Sequence, residues 1–174
     1  QLLSCLLHLN AEIPEDLIIS IPGFLFDYTS FDMMSLAKVK TFGQLLDLLK
    51  KTPYYDVLLP FSPGNGGKIN LPVCEIALKR FYFDHVMELI EKYSSGKTKH
   101  ALVSMISAQA ELENITAIFR LKKYFHADEK MIREFILPYR YVISANNLEA
   151  LITAANISDF FKILKNSRYG SYLN

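Results

Sequence analysis

The stretch LAKVKTFGQLLDLLKKTPYYDVL, Leu36–Leu58, decides the fold class. Thr41 followed three residues later by Gln44 is a capping box, whose two side chains satisfy backbone N–H groups at the start of a helix. Phe42, Leu45, Leu46, Leu48 and Leu49 then recur at helical spacing and make one apolar face. Thr52-Pro53 ends the helix, because proline lacks the N–H that would continue it. A short turn, Tyr54 to Leu58, follows.

The same succession returns in LITAANISDFFKILKNSRYGSYL, Leu151–Leu173, at an offset of 115 and without gaps. Leu36/Leu151, Leu49/Leu164, Lys50/Lys165, Tyr54/Tyr169 and Leu58/Leu173 are identical. Five identities in 23 positions are weak by themselves, but the physical features coincide too. Thr41 and Gln44 meet Asn156 and Asp159, and Thr29 and Asp32 meet Ser144 and Asn147, so two caps match. A repeat of about 115 residues, present one and a half times, is therefore expected. The opening QLLSCLLHL has no cap and reads as the middle of a helix, so the chain is expected to be a fragment.

Elsewhere the pattern is helical almost throughout. Ile13–Ile21 has helix-compatible spacing and stops at Pro22-Gly23. Thr29 is expected to open the next element. Long helices are expected over Leu71–Tyr93 and Thr98–Tyr124, broken by Ser94-Ser95-Gly96 and buried on two sides. A shorter helix over residues 128–137 ends at Pro138, Ser144 caps another, and Asn156 caps the last. Gly23–Tyr28 and Tyr139–Ile143 are candidates for extended chain. PFSPGNGGKIN, Pro60–Asn70, is the one clear loop. The expected class is all-α, a helical-repeat bundle. Its expected divisions are 1–60 (the end of one repeat), 61–70 (a loop) and 71–174 (a complete repeat).

Composition excludes several functions. The 174 residues hold 19 Lys+Arg and 18 Asp+Glu, a net charge of +1, which argues against a nucleic-acid binder. A 51% hydrophobic content excludes intrinsic disorder. The most apolar stretch, Leu17–Phe26, is ten residues long, whereas a membrane-spanning helix needs about 20. Cys5 and Cys74 read as reduced, buried thiols.

The stretch ELENITAIFRLKKYFHADEKMIREFILPYRYVISANNLEAL, Glu111–Leu151, resembles the C-type subunit of V-type and A-type ATPases, called the d-type subunit in eukaryotes. The residues that carry the resemblance are Glu111, Asn114, Ile115, Arg120, Lys122, Leu137 and Pro138. ALKRFYFDHVMELI, Ala77–Ile90, is similar to the family's preceding long helix. Thr52–Tyr54 and its echo Ser167–Tyr169 resemble the turn that closes each of its repeats. The family usually has Asp where Glu111 stands, and often Gly-Gly where Tyr139-Arg140 stands. The resemblance implies three helical repeats arranged as a pseudo-three-fold funnel, of which this chain would be roughly half. It implies a non-catalytic connector at the cytoplasmic face of the membrane, peripheral rather than spanning. Its partners would be the central shaft subunits and the proteolipid ring of a rotary pump for protons or sodium ions. An alternative is a helical-repeat interaction scaffold unrelated to any pump.

The residues offer little catalytic chemistry. Gly64–Lys68 fails as a phosphate loop, because Ser62 stands where its first glycine should be and Ile69 where a magnesium-binding hydroxyl should be. His8, His85, His100 and His126 are scattered and the two cysteines form no Cys-x-x-Cys pair, so no metal or cofactor is expected. Ser104 and Ser107 have no orienting His nearby in sequence. Asn114 and Asn156 open glycosylation patterns but fall on expected helices. On a helical wheel Glu111 and Lys122 lie within about 20° of each other, with Asn114 close by and apolar residues on both sides. The candidate interface or polar stripe is Glu111, Asn114, Arg120, Lys122 and Arg140. Its competing reading is an internal hydrogen-bond network holding the next helix.

Overall fold

The computed structural model describes residues 1–11, 22–64 and 67–172. The expected helix at Ile13–Ile21 lies outside them. The protein is all-α, with no strand among the described residues. They form two compact units, Gln1–Phe81 and Tyr82–Asn174.

In the first unit α1 (Leu2–Asn10), α2 (Met33–Ala37), α3 (Phe42–Leu49), α4 (Pro53–Leu58) and the start of α5 (Leu71–Tyr93) close on one core. Leu6, Leu36, Leu45, Leu49, Leu58 and Cys74 are fully buried there. The Thr41 cap forms as expected: Gln44 N donates to Thr41 Oγ1 at 3.2 Å, and Lys40 N donates to Gln44 Oε1 at 2.8 Å. Pro53 then sits at the first position of α4, where its missing N–H costs nothing. Both cysteines are free and buried, and burial pushes the Cys5 thiol up to about 11.

Three local expectations fail here. Tyr54–Leu58, expected as a turn, lies in the helix α4. Gly23–Tyr28 is a 3-10 turn, not extended chain. The cap of α2 is Asp32, one turn later than Thr29, and accepts from Met34 N at 2.9 Å. Thr29 instead ends the 3-10 turn, its Oγ1 within 2.7 Å of Phe26 O and 2.8 Å of Phe31 O. A carboxylate so close to the first N–H groups out-competes a hydroxyl that two carbonyls already engage.

In the second unit the end of α5 turns into α6 (Gly96–Phe125) through Ser94–Gly96. Gly96 has φ +57, which a residue without Cβ adopts at little cost. Lys99 on α6 reaches back to Glu91 on α5 at 2.5 Å. Three short helices follow: α7 (Glu129–Glu134), α8 (Ala145–Thr153) and α9 (Ile157–Lys165), then a 3-10 turn at Arg168–Tyr172. Asp128, Ser144 and Asn156 cap the three helices with side-chain oxygens. Ile118, Ile132, Ile143, Leu151, Ile152, Phe160 and Leu164 form the core of this unit.

The two long helices differ: the buried residues of α5 fall on two sides, Cys74 and Leu78 about half a turn round the helix from Phe83 and Ile90, whereas α6 is buried on one. In Tyr82–Tyr93, Phe83 and Ile90 are buried while Tyr82, Leu89 and Tyr93 face solvent. On α6, Ile106, Ala110 and Ile118 are buried while Met105 and Leu112 are exposed. The abundance of apolar residues implied two covered faces, which holds for α5 and fails for α6, where the described residues cover one. No helix among them is long and apolar enough to cross a membrane.

Candidate functional site

In the second unit a buried polar centre is built on the inward face of α6. Glu111, Asn114 and Ile118 recur at helical spacing and all three are buried, Glu111 at 2% and Asn114 at 1% exposure. Two polar side chains on a core-facing stripe need partners, because an unpaired buried polar group costs about 1–3 kcal/mol.

The partners come from the irregular segment that links α7 to α8. Asn114 pairs with both backbone groups of one residue: its Nδ2 donates to Leu137 O at 2.9 Å, and Leu137 N donates to its Oδ1 at 2.7 Å. Glu111 takes three consecutive backbone donors: Tyr141 N at 2.7 Å, Val142 N at 3.1 Å and Ile143 N at 3.0 Å. Successive N–H groups curled round an anion form a nest, which carries partial positive charge. Tyr169 of the last turn donates its hydroxyl to Glu111 Oε1 at 2.8 Å. Tyr139–Ile143 is thus neither helix nor strand, because its donors are spent on a carboxylate 30 or more residues earlier.

Burial alone would raise the Glu111 carboxyl, but the donors from Tyr141, Tyr169, Val142 and Ile143 outweigh it, and its pKa lies below the ordinary value. The Tyr169 hydroxyl is pushed up by burial and by the carboxylate it faces. A carboxylate that is ionised and fully engaged by donors holds chain in place; it has no free lone pair for proton transfer or metal binding. No three His, Cys, Asp or Glu side chains among the described residues are grouped to hold a metal ion.

The predicted stripe therefore divides. Glu111 and Asn114 belong to the internal network. Lys122 lies further along α6 and donates to Ala154 O at 2.8 Å, tying α6 to the α8–α9 turn; burial lowers its pKa. Arg120 and Arg140 are not joined to that network, and both are exposed to solvent. The sequence reading missed Tyr169 as a partner of Glu111. Its signal was the tyrosine shared by the two matched turns, which marks a residue with a fixed place but not what it touches.

A second polar contact closes the other side of the segment. Tyr139 donates its hydroxyl to Asp84 of α5 at 2.5 Å, and its ring lies 6.2 Å from that of Phe83. Burial and the Asp84 carboxylate push the Tyr139 hydroxyl up to about 12.

Comparison with known proteins gives one family. The family model described as ATP synthase (C/AC39) subunit matches residues 2–174. The chain is 31% identical over 114 residues to the C-type subunit of the A-type ATP synthase of Methanosarcina mazei, and 32% identical over 114 residues to that of Methanosarcina acetivorans. Each match covers 66% of this chain and 29% of the relative's length. No solved structure matches significantly.

Proposed function

The chain belongs to the ATP synthase (C/AC39) subunit family, and on that premise we propose that it is part of the connector between the rotating shaft and the proteolipid ring of an A/V-type rotary ATPase. It would act without catalysis, at the cytoplasmic face of the membrane, in ATP-linked transport of protons or sodium ions. The observation that carries the reading is the family match along residues 2–174. The physical demand of the role is torque transmission, which needs close-packed parts that yield little. The Glu111 and Asn114 network supports this, since it fixes an otherwise irregular segment to a 30-residue helix at both Leu137 and Tyr141–Ile143.

The repeat reading stands with this proposal, with divisions at 1–60, 61–70 and 71–174. Its support is local geometry at the same offset of 115: Thr52 N donates to Leu49 O and Ser167 N to Leu164 O, at 2.8 and 3.1 Å. Arg120 and Arg140, the cations of the stripe that stand outside the internal network, are the contact residues we propose for neighbouring subunits.

Affinity purification of the full-length protein from its own cells in mild detergent tests the function. Co-elution of nucleotide-binding subunits, shaft subunits and proteolipid is the expected result. Their absence, in cells that contain an assembled pump, would overturn it in favour of an unrelated scaffold.

A further inference from the structure

A cleft of about 340 Å³ opens beside α7 and α8, lined by Arg133, Ile136, Leu137, Arg140, Leu148 and Ile152 among others. Its floor is apolar: Leu137 and Ile152 are buried, and Ile136 and Leu148 half-buried. Its lining carries two guanidiniums and one carboxylate. Glu149, also in the lining, accepts two hydrogen bonds from Arg133 at 2.8 and 2.5 Å, and Glu129 lies 3.6 Å from the same guanidinium. That arginine is already matched within the chain. No hydrogen bond or ion pair joins Arg140 to another described residue. The cleft thus offers one unpaired, exposed guanidinium beside an apolar floor.

The backbone that carries Arg140 is held on both sides. Leu137, three residues before it, is pinned by Asn114, and Tyr141, immediately after it, is pinned by Glu111. A cation presented from a fixed segment loses less entropy on binding than one on a mobile loop. Arginine is also the side chain whose planar fork fits a carboxylate in two-point contact.

We propose that this cleft docks an acidic–apolar segment of a partner protein, with an apolar side chain seated on Ile136, Leu148 and Ile152 and a neighbouring carboxylate on Arg140. Charge complementarity selects the occupant. A purely apolar segment would leave the Arg140 guanidinium unmatched, and a basic one would bring it no counter-charge. The buried network is then what positions the contact, so Glu111 and Asn114 act on the interface through Arg140 without touching the partner.

The test uses the full-length protein with methyl-labelled Ile and Leu, titrated with N-acetyl-Leu-Glu-amide and, separately, with N-acetyl-Leu-Gln-amide. The expected result is that the acidic probe shifts the methyl signals of Ile136, Leu148 and Ile152 and binds at least about tenfold more tightly than the neutral one. Arg140→Gln should erase that preference while leaving methyl signals elsewhere unchanged. Equal binding of the two probes, no shift at these methyls, or an unaltered preference in Arg140→Gln would each overturn the proposal. A photo-crosslinker in place of Leu148, used in the native cells, reads the partner directly. Attachment to another protein within two or three residues of an Asp or Glu is expected. Attachment to lipid, to a second copy, or to a segment without acid would overturn it. Neither readout requires a rotary ATPase, so failure here is distinguishable from failure of the connector reading.

Discussion

The hydroxyl of Thr52 donates to Leu49 O at 2.9 Å, and that of Ser167 donates to Leu164 O at 2.6 Å. The following backbone bonds match as well, Tyr55 N to Thr52 O at 3.2 Å and Gly170 N to Ser167 O at 3.0 Å. The two turns nevertheless use their tyrosines differently. Tyr54 stands edge-on to Phe31 and Phe81, with ring centroids 6.1 and 5.2 Å away. Tyr169 gives its hydroxyl to the buried carboxylate of Glu111. Local chemistry fixes the turn, and what the tyrosine meets afterwards decides whether it serves as a packing ring or as a hydrogen-bond donor.

The largest effect is expected where the second turn meets its carboxylate. Glu111→Ala strands three backbone N–H groups and one hydroxyl together, and should cost roughly 3–5 kcal/mol by chemical denaturation. Hydrogen exchange should localise the loss to residues 137–143 and 168–172. The sign of the pH dependence follows from the lowered carboxyl pKa. The stabilisation is complete above the unfolded-state value and is lost as pH falls through the folded one. The stability gap between wild type and Glu111→Gln should therefore be flat above about pH 5 and shrink below about pH 4. A gap that instead grows on acidification would show that the carboxyl is held protonated.

That network also marks how far the sequence was legible. The caps at Thr41, Ser144 and Asn156 were readable because each is one side chain reaching three residues along the chain. The bounds of α5 were readable because Ser94-Ser95-Gly96 breaks a long apolar pattern. Glu111 and Asn114 could be placed on one face of a helix, since period alone fixes that. Their partners could not, because the 137–143 segment has no period and takes its shape from a helix some 23 to 32 residues earlier. Gly23–Tyr28 was misread for a similar reason: a run of apolar residues does not distinguish a 3-10 turn from extended chain. The exposed apolar faces of α5 and α6 were also out of reach, since hydrophobicity does not say which side finds a neighbour.

The position after each tyrosine gives the next contrast. Tyr55 carries a large side chain, whereas a Cβ on Gly170 would collide with the backbone carbonyl of Lys165. The last turn must close tightly on the end of α9, and only glycine permits the approach. Gly170→Ala should destabilise the second unit by about 1–3 kcal/mol, the usual range for forced overpacking. Exchange protection at Tyr169 should fall while that at Tyr54 is unchanged. An unaffected Tyr169 would mean that the turn has room to move away without releasing its hydroxyl.

Removing the two hydroxyls compares the tyrosines themselves. Tyr169→Phe deletes a hydrogen bond to an ionised group and should cost about 1.5–3 kcal/mol. It should also raise the Glu111 carboxyl toward its ordinary value, moving the acid transition to higher pH. Tyr54→Phe keeps the edge-on ring contacts and should stay within about 0.5 kcal/mol of wild type. Equal costs would break the contrast and point to a polar partner for Tyr54.

The smallest effects probe what the two turns share. Thr52→Val keeps the shape of the buried side chain and removes one donor to Leu49 O, an expected loss of about 0.5–1.5 kcal/mol. Ser167→Ala removes the matching donor to Leu164 O, but it also removes an acceptor, because Tyr169 N donates to Ser167 Oγ at 3.1 Å. It should cost roughly twice as much, with the excess in the orientation of Tyr169. A double-mutant cycle between Ser167→Ala and Tyr169→Phe separates the two contributions. Coupling of about 0.5 kcal/mol or more places the serine upstream of the tyrosine's contact, whereas simple additivity leaves it as a local cap like Thr52. Only in the coupled case does the shared turn help to set the buried carboxylate, and only then do the two turns differ in more than their neighbours.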